Sequence, residues 1–207
     1  MSTKPNTTKE RLISTAIDLI WRSSYGSVSV DGICKAADVK KGSFYHFFPS
    51  KIDLAAAAME EAFEQFRPAL DEIFSPLKSP IERFENYADK GYQMQKEIAE
   101  EHGMVCGCPF VSLGSEMAPQ EETIRRKTDE IIGLHKKYYE TALEDMLAAG
   151  LLPADTDVKA KASKIYAFIM GQLVMARIEN SLEPMKRDLK TGLFRMIGVE
   201  HDALERA

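Results

Sequence analysis

The sequence lacks the features that mark secreted proteins, membrane proteins and the common enzyme classes. Its three cysteines are an odd number and too few for a disulfide framework, and its most apolar stretch, residues 165–176, is too short to cross a bilayer. The opening residues, MSTKPNTTKER, have no apolar core of the kind found in signal peptides. There is no glycine-rich phosphate loop, no nucleophile elbow and no His-Glu-x-x-His string. We therefore expect a cytoplasmic protein with no membrane segment, no cofactor and no enzymatic activity.

No stretch of the chain alternates apolar and polar residues as a half-buried strand does. Apolar residues instead recur with helical spacing from residue 7 to near the C-terminus, which predicts an all-α fold of about nine helices. The charge is unevenly distributed: residues 1–54 carry a net charge of +3, whereas the rest of the chain carries −8. A basic end on an acidic body is expected if one end docks on phosphate and the rest stays clear of it.

The stretch from Val28 to Asp53 predicts two short helices joined by a tight turn. The first begins at Ser29, whose hydroxyl can cap free amides, and the second turns Phe44 and Phe48 inward. Gly42 lies in the first turn of that second helix, where the missing side chain lets another backbone approach. Basic, hydroxyl and aromatic groups on its outer face suit phosphate oxygens and base edges, so the pattern predicts a DNA-reading helix-turn-helix. The outward side chains are Lys40, Lys41, Ser43, Tyr45 and His46.

The string Lys41-Gly42-Ser43-Phe44-Tyr45-His46-Phe47-Phe48, followed by Ser50-Lys51, resembles the recognition-helix signature of TetR-type (tetracycline-repressor-like) transcriptional regulators. We accordingly expect a three-helix DNA-binding head at 1–52 and a helical bundle for ligand binding and dimerisation at 53–207. The resemblance implies DNA contacts from Ser29, Lys41, Ser43, Tyr45, His46 and Lys51. Lys51 also lies in the first turn of the fourth predicted helix, where free amides and a cation together suit a phosphate. Phe47 departs from the pattern, because many members carry histidine or a hydroxylated aromatic residue there.

The eighth predicted helix is apolar nearly all round between Ile165 and Ile178, so more than one of its faces must be covered. A ninth helix, starting at Pro184, adds another apolar stripe. The resemblance implies that these two helices from each subunit form a four-helix interface. We therefore expect a homodimer through about 157–181 and 184–198, bound to double-stranded DNA at a palindromic operator.

The pair of cysteines in Cys106-Gly107-Cys108 has two interpretations. One is a redox or electrophile sensor, because Pro109 as a first helical residue places Cys108 at a helix N-terminus, where a thiol pKa can be lowered. The other is a pair of small apolar residues in a core or pocket. A metal site with His102 is the weakest interpretation, since the Cys-x-Cys spacing is not that of a common zinc pair and a fourth ligand is not evident. We expect no metal.

The expected function is a repressor released from its operator by a small apolar or aromatic inducer; the alternative is a repressor that senses oxidants or electrophiles through Cys106 or Cys108. By resemblance, the inducer moves the fourth helix and changes the separation of the two recognition helices. Aromatic and methionine residues at helical spacing are also ordinary core residues, so the inducer site is only a candidate list. Its members are Phe63, Phe66, Tyr92, Cys106, Cys108, Phe110, Met117, Tyr138, Phe168 and Arg177, the last of which suits an anionic ligand.

Overall fold

The computed structural model describes residues 7–199, which form nine α-helices and no strand. The all-α prediction is confirmed over this range. None of these helices is apolar over a length that would let it cross a membrane. In chain order the helices are α1 (Thr8–Arg22), α2 (Val30–Ala36), α3 (Lys41–Phe47), α4 (Lys51–Ile73), α5 (Pro80–His102), α6 (Pro109–Met117), α7 (Glu122–Ala148), α8 (Val158–Glu179) and α9 (Glu183–Ile197).

The chain divides into two compact units. Unit 1 consists of Met1–Phe66 and Cys108–Ile131, and unit 2 of Arg67–Gly107 and Ile132–Ala207. Unit 1 thus contains more than the predicted head, since it adds the first part of α4, all of α6 and the start of α7. The chain passes between the units within α4, between Gly107 and Cys108, and within α7. The functional division at 52/53 stays a prediction, and its outermost residues, 1–6 and 200–207, lie outside the described range.

Local capping signals determine where several helices begin. Thr7 and Glu10 form a capping box: Thr7 Oγ1 accepts from the Glu10 amide at 3.2 Å, and Glu10 Oε2 accepts from the Thr7 amide at 3.0 Å. Ser79 caps α5, where Pro80 is the first helical residue, and Asp157 caps α8. Such signals are local in sequence, so these three starts were predictable.

The structure differs from the prediction at two points along the helices. We expected α1 to reach about Gly26, but it ends at Arg22 because Ser23 leaves helical geometry (φ −119°, ψ −102°), and its hydroxyl donates to the Leu19 carbonyl. Pro68 was expected to kink or break the fourth helix; α4 contains this proline and continues to Ile73, so the predicted break does not occur. Pro68 is exposed, and on a solvent-facing side the loss of one internal hydrogen bond costs least.

Unit 2 is built around α5, α8 and α9, with α9 packed against both α5 and α8. The ring of Phe168 packs directly against Gly192 of α9. A Cβ at this position would lie 2.2 Å from Phe168 Cζ, so only glycine leaves room for the ring. An aromatic cluster fills the same unit, and within it the Tyr139 hydroxyl donates to the Tyr87 hydroxyl at 2.6 Å. The cluster consists of Phe74, Phe84, Tyr87, Tyr138 and Tyr139.

Candidate functional site

The turn between α2 and α3 has the geometry of a helix-turn-helix. Ser29 Oγ caps α2 by accepting from the Gly32 amide at 3.0 Å. Asp38 adopts a left-handed conformation (φ 51°), and the Val39 amide then donates to the Cys34 carbonyl at 2.9 Å. Phe44 is completely buried and Phe48 nearly so, as predicted. These two rings anchor α3, so its opposite face is turned outward.

The outward face of α3 carries the residues predicted to contact DNA. Tyr45 is 51% exposed, and its ring stands edge-on to Phe44 with the two centroids 5.1 Å apart, which holds the phenol on the surface. Phe47 is also partly exposed. Six of the predicted residues are exposed and Ser43 is half-buried, so α3, its N-cap and the N-cap of α2 all present predicted contact residues to solvent. The exposed six are Ser29, Lys40, Lys41, Gly42, Tyr45 and His46.

Lys41 is not a free cation in this structure. Its Nζ forms an ion pair with Asp31 Oδ1 at 2.8 Å, and both side chains are exposed. The hydrogen bond to Asp31 and the charge of that carboxylate raise the pKa of Lys41. A phosphate must therefore compete with Asp31 for this ammonium group.

Lys51, predicted to bind phosphate, turns inward instead. Its Nζ donates to the carbonyls of Tyr25 and Val28 at 2.8 and 2.7 Å and lies 3.8 Å from the centroid of the Tyr25 ring. Burial lowers the pKa of this ammonium group, partly offset by the charge of Glu116. Lys51 thus ties α4 to the turn before α2. Its contact with DNA stays a prediction.

Glu116 holds the same turn from another side and was missed by the sequence analysis. Its Oε2 accepts from the Tyr25 amide at 2.9 Å, and its Oε1 accepts from the Gly26 amide at 2.7 Å. Both partners belong to unit 1, but Glu116 lies on α6, far along the chain. No local pattern connects them, so nothing in the sequence could have indicated this contact.

The ten predicted inducer-site residues are divided equally between the two units. In unit 1, the rings of Phe63 and Phe110 meet edge-to-face, 6.4 Å apart. In unit 2, Arg177 Nη1 donates to the Cys106 carbonyl at 3.0 Å, whereas Phe168 packs on Gly192. Unit 1 contains Phe63, Phe66, Cys108, Phe110 and Met117, and unit 2 contains Tyr92, Cys106, Tyr138, Phe168 and Arg177.

A small apolar hollow lies within unit 1 among α1, α4 and α6. Its volume is about 20 Å³, which admits a group the size of a water or methyl but not an aromatic inducer unless side chains move. Phe110 is the one predicted inducer-site residue in its wall. The walls are Ala16, Ile17, Ile20, Trp21, Ala55, Ala58, Met59, Ala62, Pro109, Phe110 and Leu113.

The Cys106-Gly107-Cys108 segment is tightly held. Gly107 has φ 67°, and a Cβ there would lie 3.2 Å from the Leu173 carbonyl oxygen, so both conformation and space require glycine. Cys106 is completely buried. Cys108 is the N-cap of α6, as predicted, but burial raises its thiol pKa and outweighs two backbone hydrogen bonds. Burial therefore acts against the lowered thiol pKa that the sensor interpretation of Cys108 requires.

Three polar or charged side chains are buried in the described part of unit 2: Gln95, His135 and Arg83, of which Arg83 forms an ion pair with Asp145. Gln95 is 3% exposed, and its Nε2 donates to the Gly107 carbonyl at 3.4 Å. His135 is 5% exposed, and its ring faces that of Tyr166 at 6.1 Å. Gln95 was missed, although its helical spacing from Ala88 and Tyr92 on the buried stripe of α5 was a usable signal. Within residues 7–199 no three His, Cys, Asp or Glu side chains are grouped so as to hold a metal ion.

Comparison with known protein families identifies the family to which this helix-turn-helix protein belongs. Residues 12–58 match the family described as bacterial regulatory proteins, tetR family, and residues 80–191 match the tetracyclin repressor-like C-terminal domain. The chain belongs to the TetR family. It is a DNA-binding transcriptional regulator, in agreement with the resemblance of its recognition helix, and regulators of this family are not enzymes.

The chain is similar to named transcriptional regulators over most of their length. The transcriptional regulator AcuR of Cereibacter sphaeroides is 29% identical over 183 residues, which cover 88% of this chain and 82% of AcuR. The repressor NemR of Escherichia coli K12 is 28% identical over 189 residues, 88% of this chain and 90% of NemR. The repressor function of such homologues supports the coarse prediction of a transcriptional regulator, while the ligand response stays a prediction.

Solved structures share the fold. A TetR regulatory protein from Rhodobacter sphaeroides has a TM-score of 0.77 at 28% identity, covering 91% of this chain and 96% of that one. The reduced form of E. coli NemR also has a TM-score of 0.77, at 24% identity, covering 94% of this chain and all of that one. The all-helical TetR architecture therefore holds across both units.

Proposed function

We propose that this TetR-family regulator is a homodimeric repressor that leaves a palindromic operator when a small apolar or aromatic inducer binds its body. The observation that carries the proposal is the outer face of α3, on which exposed Lys40, Lys41, Tyr45 and His46 project from a helix anchored by buried Phe44. Cations, hydroxyls and aromatic edges on one short helix suit phosphates and base edges in a major groove. Such a repressor acts in the cytoplasm, where its DNA lies.

The dimer is supported by apolar side chains that a single chain leaves exposed on its last two helices. Ile178 is 70% exposed, Met175 48%, and Met196 of α9 41%. Solvated apolar groups of this size on neighbouring helices are better covered by a second copy. The interface runs through about 157–181 and 184–198. A twofold dimer then places two recognition helices about 34 to 36 Å apart, or a multiple of that distance, on the operator.

The inducer site is supported by the buried polar groups of unit 2. Ligand pockets combine apolar and aromatic walls with a few polar groups that fix orientation. Gln95 and His135 are such groups, and Arg177 adds a half-buried cation beside the Cys106 carbonyl. An apolar or aromatic molecule with a carbonyl or carboxylate group fits this chemistry. The inducer binds more tightly to the conformer in which the spacing of the two DNA-binding heads does not fit the operator. The protein's affinity for the operator then falls by an amount set by the difference between the inducer's affinities for the two conformers.

The test begins with selection of duplex DNA by the purified full chain at low salt. The double variant Lys41→Ala with Tyr45→Ala should lose most affinity for the selected duplex and show a flatter salt dependence, because phosphate contacts are removed. The control is Lys35→Ala, which removes an exposed lysine of the same head on α2. Failure to select any duplex, or equal binding by the double variant, contradicts the proposed function.

A second candidate makes a cysteine the sensor. It is supported by Arg177, which brings a cation to the Cys106 backbone although no basic residue flanks the pair in sequence, and by the relative whose structure is described as a reduced form. Burial raises the pKa of Cys108 and disfavours its thiolate, and Cys106 is completely buried, so either thiol must become more exposed before it reacts. Changing both to serine should abolish peroxide-induced release from DNA, with Cys34→Ser as the control. Release that persists in the double variant excludes this candidate.

A further inference from the structure

The turn between α1 and α2 is held by two side chains of opposite charge. The carboxylate of Glu116 accepts from the adjacent amides of Tyr25 and Gly26, at 2.9 and 2.7 Å. The ammonium of Lys51 donates to the Tyr25 and Val28 carbonyls, at 2.8 and 2.7 Å. Within the turn itself, Ser24 and Ser27 are joined by hydrogen bonds of 3.0–3.2 Å, and the Val28 amide donates to the Tyr25 carbonyl at 3.3 Å. The path of the chain from α1 into α2 is thus held both by these local bonds and by groups supplied by α6 and α4.

The helix that carries Glu116 has little freedom within unit 1. It packs against α1. It also meets α7 at Gly114, where a Cβ would lie 2.7 Å from Thr128 Cγ2. A carboxylate on such a closely packed helix is held in place relative to the turn, and a shift of α6 must move it.

In the sequence, α6 begins directly after a stretch of unit 2. Gly107 is the last residue of this stretch of unit 2, and Cys108, the N-cap of α6, is the first of the returning stretch of unit 1. Gly107 contacts α8, and Gln95 of α5 donates to its carbonyl. A change in the packing of these unit 2 residues would therefore displace Gly107, which is bonded to the N-cap of α6.

We propose that Glu116 is a positioning residue for DNA binding, through which α6 holds the helix-turn-helix in its operator-binding geometry. The proposal rests on the proposed function, because it names how a change in the body reaches the DNA-binding head. Glu116 touches no DNA in this scheme. When α6 moves, the amides of Tyr25 and Gly26 lose their acceptor and the exit from α1 loosens, which changes the direction in which α2 and α3 project.

The first test compares two variants that each remove one negative charge from unit 1. Glu116→Gln should weaken binding to the selected duplex roughly tenfold and speed amide exchange at Tyr25 and Gly26 by a similar factor. Glu61→Gln changes an exposed residue of α4, whose carboxylate accepts from the neighbouring Gln65 side chain at 3.0 Å. Since loss of negative charge alone favours phosphate binding, this control should bind equally or more tightly. Weaker duplex binding by Glu116→Gln, together with equal or tighter binding by Glu61→Gln, is the expected result.

A second variant approaches the same contact from the turn and leaves the charge unchanged. In Gly26→Ala the new Cβ would lie 3.1 Å from Glu116 Oε1, so the carboxylate must shift by a few tenths of an ångström. The substitution should weaken duplex binding more in the wild-type background than in Glu116→Gln, because the contact is then already weakened. Additive effects of the two changes would overturn the proposal. Circular dichroism confirms that each variant is folded.

The exchange measurement separates this proposal from the proposed function, because it needs no DNA. If the wild type selects no duplex, the proposed function fails, while faster exchange at Tyr25 and Gly26 in Glu116→Gln still establishes that Glu116 holds the turn. If DNA is selected but exchange and affinity are unchanged in Glu116→Gln, the positioning role is wrong and the proposed function stands.

Discussion

Individual residues of the DNA-binding face are restrained by their own neighbours. The recognition helix presents Lys41, but that ammonium is paired with Asp31 at 2.8 Å. The same pair appears in the sequence only as two separated residues of opposite charge. Sequence could therefore place Lys41 on the outer face, but it could not show that part of its charge is compensated before DNA arrives.

Removal of Asp31 should strengthen DNA binding. In Asp31→Asn the Lys41 ammonium no longer has to leave a carboxylate, so affinity for the selected duplex should rise by about three- to tenfold at low salt, with a steeper salt dependence. Titration of labelled duplex at several salt concentrations measures both quantities. The control is Asp38→Asn, since asparagine also tolerates the left-handed conformation of that residue (φ 51°). Equal gains in the two variants would mean that net charge, and not the ion pair, is responsible.

The cysteine at the start of α6 should react slowly at neutral pH. Burial raises the pKa of Cys108 above its ordinary value of 9.0, so the reactive thiolate is scarce at pH 7 and increases about tenfold per pH unit. Its alkylation by iodoacetamide, followed by peptide mass spectrometry, should keep rising beyond pH 9.0. The same peptide in the unfolded chain is the control and should level off earlier. A plateau near neutral pH in the folded protein would contradict the burial argument.

At the scale of helices, sequence predicted what depends on neighbouring residues and missed what depends on distant ones. The start of α1 follows from Thr7 and Glu10, which lie three residues apart and cap each other. Glu116 reaches a turn about ninety residues earlier in the chain, and Lys51 turns inward because that turn offers it two carbonyls. Both choices are made by tertiary packing, which helical periodicity does not encode. The outer face of α3 was predictable because Phe44 and Phe48 specify the opposite face.

Close packing of α6 against α7 should make Gly114 intolerant of substitution. In Gly114→Ala the Cβ would lie 2.7 Å from Thr128 Cγ2, and a branched side chain on a helix cannot swing away. The free energy of unfolding should fall by about 1–3 kcal/mol, measured by urea titration. Adding Thr128→Ser, which removes that methyl, should restore part of the loss.

Gly133 of α7 provides the matched control, since a Cβ there meets nothing within 4 Å. Gly133→Ala should stabilise by about 0.5–1 kcal/mol through helix propensity alone. Equal behaviour of the two alanine variants would show that α6 is not confined at Gly114.

For the whole molecule, a small basic head on an acidic body implies that one recognition helix is not enough. Residues 1–54 carry a net charge of only +3. Phosphate attraction grows with the number of cations presented, so two heads held together bind far better than one. The exposed apolar side chains of α8 and α9 are the part of the described chain best suited to hold two copies together.

A charge placed in the proposed interface should separate the subunits and abolish operator binding together. Ile178 is 70% exposed in the single chain, and in a twofold dimer Ile178→Lys introduces the same charge from both copies. Sedimentation velocity should show that the Kd of the dimer rises by roughly 100-fold or more, since an uncompensated charge would be buried there. Leu77→Lys is the matched control, because Leu77 is 95% exposed in the loop between α4 and α5 and lies outside the proposed interface. It should remain dimeric and bind the duplex normally. If Ile178→Lys also stays dimeric, the subunits meet through a different surface, and the apolar face of α8 must be covered in another way.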